Sequence, residues 1–275
     1  MPGAGRVEQK RRIAAGGRST AMVGHMSTNA DRTAPLATAL SAESSVGIKL
    51  LPIALSVIAG SADAIGFLGL GGLFTAHVTG NLVMLAAHLV NGGDAPVAAM
   101  LAVPVFMAAL ASARAVVSCL ERIGTASLQP LLVLQFLLLA GFLVLSVSAD
   151  PPIDPNAGRA VLAGMLGVSA MAVQNALVQI SLKGAPSTAV MTSNITRFML
   201  DIVSVMLGRD QADIAKARSR AGRTGPVIVG FTVGCGVGAA CESVIGLWAL
   251  ALPTGLALLV LAMGPAAEFD DGQGS

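Results

Sequence analysis

Long apolar runs separated by short polar breaks fill the chain from residue 47 to residue 265. The pattern predicts eight apolar segments, with bounds at about 50–70, 73–90, 96–113, 128–148, 160–182, 188–207, 226–246 and 248–264. Each is close to the roughly 20 residues that a helix needs to cross a bilayer core. We expect all of them to be helices, because an open strand cannot satisfy its backbone hydrogen bonds in lipid. The predicted fold class is all-α, a polytopic transmembrane helical bundle.

One polar pattern occurs twice within these apolar runs. Residues 61–81 read SADAIGFLGLGGLFTAHVTGN, and residues 169–194 read SAMAVQNALVQISLKGAPSTAVMTSN. Each copy begins with Ser-Ala and ends with a Thr-x-Asn motif that opens the next apolar run. The pattern predicts two repeated halves, about 47–149 and 157–265, divided by a turn-rich stretch that contains three prolines.

The second and sixth segments each follow a helix-breaking stretch, at 69–72 and at 184–186, and this leaves two topologies open. Either all eight segments cross, or these two are broken or re-entrant helices and six segments cross fully. With six crossings and the N-terminus inside, fifteen of the seventeen Lys and Arg lie on the cytoplasmic side, and Arg159 lies outside. With eight crossings, thirteen lie inside, and three lie outside, namely Arg114, Arg122 and Lys183. The positive-inside rule favours six by a small margin.

The two topologies relate the halves differently. Six crossings would make them inverted repeats, an architecture that many secondary transporters use. Eight crossings would make them parallel repeats. Both topologies place the N- and C-termini in the cytoplasm.

Composition agrees with a membrane protein. Apolar residues make up 54% of the chain and charged residues 12%, against about 25% charged in soluble domains. Basic residues concentrate in 1–49 and in 209–223, and the second stretch is predicted to be a cytoplasmic loop that sets topology, not a nucleic-acid surface. Residues 1–46 are predicted to be a disordered cytoplasmic extension, and residues 266–275 an acidic tail.

Charged and titratable side chains inside the segments are candidates for a substrate or ion site. An ionised Asp63 in the first segment costs about 2.5–3.5 kcal/mol at the bilayer centre. It is interpreted either as a proton or cation site or as a carboxylate bonded by backbone N–H groups near the glycine-rich break. His77 is interpreted as a proton relay or as a structural histidine. Arg197 and Asp201 lie four residues apart, and they either pair with each other or leave Arg197 facing Asp63 or an anionic ligand.

Hydroxyl and amide side chains complete the candidate site. The full set is Asp63, His77, Thr79, Asn81, Gln174, Asn175, Thr192, Asn194, Arg197 and Asp201. Thr79 and Thr192 are also expected to cap the helices that follow them. A separate spacing, Gly230, Gly234 and Gly238, predicts close packing against a neighbouring helix.

Enzyme motifs are missing from the sequence. It contains no GxSxG, no HExxH and no Walker loop with its lysine. We therefore predict that the protein is not an enzyme and has no catalytic residues and no cofactor. The three cysteines are expected to be small packing residues, with no disulfide and no metal site.

The first polar pattern resembles the signature of a known family. The residues are GSADAIGFL at 60–68, Gly71-Gly72, Phe74 and Thr79-Gly80-Asn81. They are similar to the YoaK-like family of bacterial multi-pass inner-membrane proteins, a domain-of-unknown-function family. Residues 174–177 and 188–194 resemble its second block, although this chain has Thr-Ser-Asn where Thr-Gly is common. The resemblance covers about 45–265, implies a location in the bacterial inner membrane, and implies no substrate.

The sequence thus predicts a secondary transporter or exporter of a small solute, with a polar site at the interface of the two halves. The alternative is a non-transporting membrane scaffold or assembly protein, whose polar groups only hold helices together. The expected partners are the lipid bilayer and a small-molecule or ion substrate, without nucleic acid. Homo-oligomerisation stays open.

Overall fold

A computed structural model describes residues 30–91, 96–148, 154–182, 184–188 and 190–268, with side chains described from Leu50 to Met263. The chain divides into two units, Met1–Leu40 and Ser41–Ser275, and the following description concerns the second. Most of the predicted extension over 1–46 and of the predicted tail over 266–275 lies outside the described residues.

All regular secondary structure in the described ranges is helical, as predicted. The helices are α1 Ala30–Gly69, α2 Gly80–Asn91, α3 Val97–Arg122, α4 Leu128–Val147, α5 Gly158–Ser181, α6 Met191–Leu207, α7 Gln211–Ile245 and α8 Ala251–Glu268, with a 3₁₀ helix at Gly246–Leu250. Five stretches among the described residues are long and apolar enough to cross a membrane. The last of these, Gln211–Met263, contains α7, the 3₁₀ helix and most of α8. The prediction of a helical membrane protein is confirmed.

The second predicted segment begins too early. It was placed at 73–90, but α2 begins only at Gly80, because α1 ends in a sharp reversal. The N–H of Gly72 donates to the carbonyl of Phe67 at 2.9 Å, and Gly71 has a φ of 67°. This is the pattern of a Schellman turn, in which a left-handed glycine ends the helix.

Residues 211–223 are helical, so the prediction of a loop over 209–223 is wrong beyond its first two residues. Asp210 precedes α7, and its side chain accepts a hydrogen bond from the N–H of Ala212 at 3.0 Å. An N-cap of this kind satisfies one of the free donors at a helix start. The 35 residues of α7 extend over roughly 52 Å at 1.5 Å per residue, well beyond the roughly 30 Å of a bilayer core.

Close packing of α7 against α1 confirms the prediction made from the glycine spacing. A Cβ added at Gly230 would lie 3.0 Å from the carbonyl oxygen of Ile53, and one at Gly238 would lie 2.8 Å from the Cα of Ser61. A Cβ at Gly234, midway between them, would overlap the backbone of Val57. Residue numbers rise together on both helices, so α1 and α7 run parallel.

The remaining helices build the apolar core. α4 packs against α5 and α8, and α3 packs against α5. Large side chains that are completely or almost completely buried fill these contacts, among them Phe142, Leu139 and Leu177. On α5, fifteen of the residues from Ala160 to Val178 are buried, which makes this helix the centre of the bundle.

We predict that Gly234→Ala destabilises the protein by about 1–3 kcal/mol or more, as overpacking of a closed contact does. The matched control is Gly236→Ala on the same helix, where an added Cβ meets no atom within 4 Å. Thermal unfolding in detergent, followed by size-exclusion chromatography, measures both variants. Equal melting temperatures for the two would contradict the close α1–α7 contact.

Candidate functional site: two connecting segments and an arginine-lined cleft

The first connecting segment, residues 70–79, lies in a groove that small residues leave open. On α5, a Cβ at Gly164 would collide with the side chain of Leu73, and a Cβ at Gly167 would lie 3.1 Å from Cγ2 of Thr75. Glycine at both positions therefore lets non-helical backbone pack against the central helix.

Asp63 holds this segment against α1. Its carboxylate is buried, with 4% of the residue exposed, and Oδ1 accepts the N–H groups of Thr75 and Ala76 at 2.7 Å each. The N–H of His77 also donates to the carboxylate at 3.3 Å, and its Nδ1 lies 2.7 Å from Oδ2. Of the two interpretations of Asp63, this geometry is that of a carboxylate bonded by backbone N–H groups.

His77 lies outside the candidate membrane-spanning helices, with 35% of its side chain exposed. Its hydrogen bond to Asp63 raises the pKa of His77 above its usual range, burial of the ring opposes the shift, and the charge of Asp63 adds to it. The other contact of the ring is Phe231 on α7, edge-on with ring centroids 5.0 Å apart. His77 thus links the first connecting segment to both α1 and α7.

Asn81 closes the first connecting segment by bonding to both backbone groups of one residue. Its Oδ1 accepts the N–H of Phe74 at 2.9 Å, and its Nδ2 donates to the carbonyl of Phe74 at 2.8 Å. Asn81 is fully buried. The amide of Asn81 thus pairs the N–H and the carbonyl of a residue that lies outside any helix.

Asn194 occupies the corresponding place in the second half. The second connecting segment spans residues 182–190, of which 183 and 189 lie outside the described residues. Nδ2 of Asn194 donates to the carbonyl of Ser187 at 2.6 Å, seven positions back, as Asn81 bonds seven positions back to Phe74. The same amide contact therefore precedes both α2 and α6.

Gln174 anchors the second connecting segment as Asp63 anchors the first. Its Nε2 donates to Oγ1 of Thr188 and to the carbonyl of Leu55, both at 2.9 Å. Its Oε1 accepts from Nε2 of Gln135 on α4 at 2.8 Å. Gln135 was not predicted, and its own Oε1 is buried without a hydrogen-bond partner among the described residues. Asn175, by contrast, bonds only within its own helix, to Met171.

The predicted caps at Thr79 and Thr192 do not form. The N-cap residue of α6 is Val190, without a side-chain cap, and the hydroxyl of Thr79 has no hydrogen bond within the described part of the chain. The first N–H groups of α2 instead bond to carbonyls three residues back, as Gly80 does to His77 at 2.8 Å. A tight turn of this type satisfies helix-end donors without a side chain.

A cleft of about 360 Å³ lies between the second connecting segment, α6 and the first part of α7. We call it the α6–α7 cleft, and its charged lining residues are Arg197, Asp201, Arg220 and Arg223. The buried Asn194 also reaches it. The α6–α7 cleft is lined by residues of the second half alone, so it does not join the two polar clusters.

Asp201 pairs with an arginine of α7. Its buried carboxylate accepts Nε of Arg220 at 3.0 Å and Nη2 at 2.6 Å, so of the two alternatives for Arg197 the one that pairs it with Asp201 does not hold. The reason is the short connection 208–210, which folds α6 and α7 into an antiparallel hairpin and places Arg220 opposite Asp201. Arg197 lies in the cleft near Arg223 and not beside Asp63.

The structure thus separates the predicted residues into three groups. Asp63, His77 and Asn81 hold the first connecting segment, and Gln174 and Asn194 hold the second. Arg197 and Asp201 of α6 line the α6–α7 cleft. Sequence reasoning missed Thr75, Gln135, Arg220 and Arg223. Arg220 and Arg223 could have been found from the sequence. Each lies about as far after the α6–α7 turn as Asp201 and Arg197, respectively, lie before it. No group of three or more His, Cys, Asp or Glu within the described ranges is placed to hold a metal ion.

Comparison with known proteins gives a family but no activity. The sequence profile of a family described as "Protein of unknown function (DUF1275)" matches residues 51–263. No curated protein and no solved structure matches the chain. The matched region includes both connecting segments and the α6–α7 cleft.

We predict that Asn81→Leu destabilises the protein by about 2–4 kcal/mol, because it leaves the partly buried N–H and carbonyl of Phe74 without partners. The matched control is Asn91→Leu at the exposed end of the same helix, for which we expect a change within about 0.5 kcal/mol. Thermal unfolding in detergent measures both. A melting temperature for Asn81→Leu equal to that of the control would refute the closing role of Asn81.

Proposed function

The chain belongs to the DUF1275 family of proteins of unknown function, and we propose that it is a secondary transporter or exporter of a small solute, built from two inverted halves. The observation that carries this proposal is the pair of connecting segments. Each is held inside the bundle by an asparagine, and each ends at the start of a short helix. The family match is consistent with the resemblance to the YoaK-like family. From that resemblance we also propose a location in a bacterial inner membrane.

The internal repeat is supported by a constant shift along the chain. Phe74 and Asn81 in the first half correspond to Ser187 and Asn194 in the second, both 113 positions later. The same shift relates the buried Thr75 to the buried Thr188, although these bond to different anchors. Each segment is also anchored by a buried polar side chain of the long helix that precedes it.

Re-entrant geometry of α2 is supported by its contacts at one end of the bundle. After α1 ends, the first connecting segment turns back to the level of Asp63, six residues before the helix end. α2 then runs back towards the turn at the end of α1, where the side chain of Met84 lies beside Gly72. α3 starts at this end too, since the N–H of Val97 donates to Asn156 just before α5.

Re-entrant geometry of α6 is supported at the opposite end of the bundle. The hydroxyls of Ser127 and Ser181, at the start of α4 and the end of α5, lie 2.9 Å apart. The second connecting segment turns back to Gln174, and α6 then runs outward along the first part of α7, with Phe198 against Gly225. On this proposal six helices cross, α2 and α6 enter from opposite faces, and both termini lie in the cytoplasm.

This arrangement fits a transport mechanism. Two short helices that begin inside the bundle from opposite sides direct the positive ends of their dipoles inward. Transporters with inverted repeats use such discontinuous helices at the substrate site and expose them in turn to each side. We assign no catalytic chemistry to the protein.

A non-transporting scaffold is the second candidate, and a specific observation favours it. Asp63 has its side-chain hydrogen-bond partners within the first connecting segment, as far as the described residues show. On the scaffold proposal, the role of this cluster is to fix the backbone. The flux experiment below separates the two functions.

Six crossings predict a specific labelling pattern in whole bacterial cells. In a variant without the three native cysteines, a membrane-impermeant maleimide should label Asn91→Cys and leave Ile123→Cys unlabelled until the cells are opened. Eight crossings exchange these two results, because the end of α2 would then lie inside. Arg209→Cys is the control, since both topologies place it in the cytoplasm.

Transport predicts flux that depends on the charged residues. In proteoliposomes tested with a panel of small anions, cations and neutral solutes, we expect wild-type flux of at least one solute and a loss of about tenfold or more in Arg197→Gln and Asp63→Asn. Arg218→Gln, an equal charge change on α7 outside the cleft, should retain flux. Correctly inserted wild-type protein that moves none of the solutes would favour the scaffold.

A further inference from the structure

Positive charge dominates the α6–α7 cleft. Arg197, Arg220 and Arg223 line it together with a single carboxylate, that of Asp201. Asp201 binds two nitrogens of Arg220, so these two charges neutralise each other. In the part of the chain that the structure describes, neither Arg197 nor Arg223 has a carboxylate within 4 Å. Two guanidinium groups therefore share a cleft without a counter-charge from the protein.

This arrangement has an electrostatic cost that an anion would remove. Like charges that face one cleft repel each other, although salt and water around exposed side chains screen part of the repulsion. Salt bridges on an open surface are easily exchanged, but Asp201 is 6% exposed and keeps Arg220 in place. The pair thus joins α6 to α7 in the lining of the cleft, whereas Arg197 on α6 and Arg223 on α7 have no carboxylate partner among the described residues.

The shape and chemistry of the cleft suit a phosphate group. Guanidinium groups donate two parallel hydrogen bonds to phosphate oxygens, with a geometry that lysine cannot match. The volume of about 360 Å³ is at the small end of ligand sites, which range over roughly 300–1,000 Å³. Neutral polar side chains complete the lining, namely Asn194, Ser204 and Thr224.

We propose that the α6–α7 cleft is a binding site for a phosphate group, with Arg197 and Arg223 as the direct ligands and Asp201 as the residue that positions Arg220. Two sources share this chemistry, a free phosphate compound and the headgroup of an anionic lipid. The lipid source is relevant because Leu200, which lines the cleft, is an exposed apolar side chain of α6. Arg197 is also changed in the flux experiment, but binding is measured without flux, so the two proposals are tested separately.

The first test is binding of inorganic phosphate to the purified full-length protein in neutral detergent. We expect phosphate to raise the melting temperature above that in chloride at matched ionic strength. The apparent Kd should weaken by about tenfold or more in Arg197→Gln and in Arg223→Gln, because each loses charge-assisted hydrogen bonds. It should change by no more than about twofold in the control Arg218→Gln.

The second test addresses the lipid headgroup. The same variants are placed in nanodiscs of phosphatidylcholine alone or with phosphatidylglycerol. Stabilisation by phosphatidylglycerol that is lost in both cleft variants, without any effect of inorganic phosphate, assigns the site to lipid and supports the proposal. The proposal is overturned if neither ligand stabilises the wild type, or if Arg218→Gln weakens binding as much as Arg223→Gln.

Two precautions keep these tests separate from folding and from transport. Arg197 and Arg223 are both exposed, so we expect both variants to fold. If one does not, the other still tests the proposal. Arg223→Lys keeps the charge and should recover binding only in part, because it loses the paired hydrogen bonds. Negative flux with positive phosphate binding would reject the transporter and leave this site intact.

Discussion

Backbone polar groups that lie inside an apolar bundle must find hydrogen-bond partners, and the two connecting segments show how this protein provides them. Ordinary helices satisfy their own N–H and carbonyl groups, but the stretches before α2 and α6 are not helical. Side chains take over this role: Asp63 and Asn81 bond to the first segment, and Asn194 to the second. Without them, each unpaired group would cost several kcal/mol in a lipid-like environment.

The two halves meet this constraint with different charges. The first half uses a carboxylate, Asp63, whereas the second uses a neutral amide, Gln174. The charges of the second half lie instead at the α6–α7 hairpin, where Asp201 and Arg220 pair. Similar backbone geometry can therefore surround different chemistry in the two halves, which is why a ligand site is proposed in only one of them.

Much of the fold and part of the site followed from local sequence. Apolar runs predicted the helices, and Gly234 with its neighbours predicted a close helix contact. The two Thr-x-Asn motifs drew attention to Asn81 and Asn194, but as members of a substrate site. The prediction failed where a partner was remote. A basic stretch was assigned to a loop, although Asp210 caps it as a helix, and the partner of Asp201 was sought on its own helix because spacing along one helix is all that sequence offers.

The sequence by itself determined that this is a helical membrane protein with breaks at two matching places. Hydrophobicity, glycine and proline act through their immediate neighbours and through the solvent, so their effect can be recognised without a fold. Only the tertiary structure decided that Asp63 bonds to backbone N–H groups and that Arg220, not Arg197, neutralises Asp201. Those contacts depend on how a turn orients the chain that follows it, and a few degrees at Gly71 or at the 208–210 connection would select other partners.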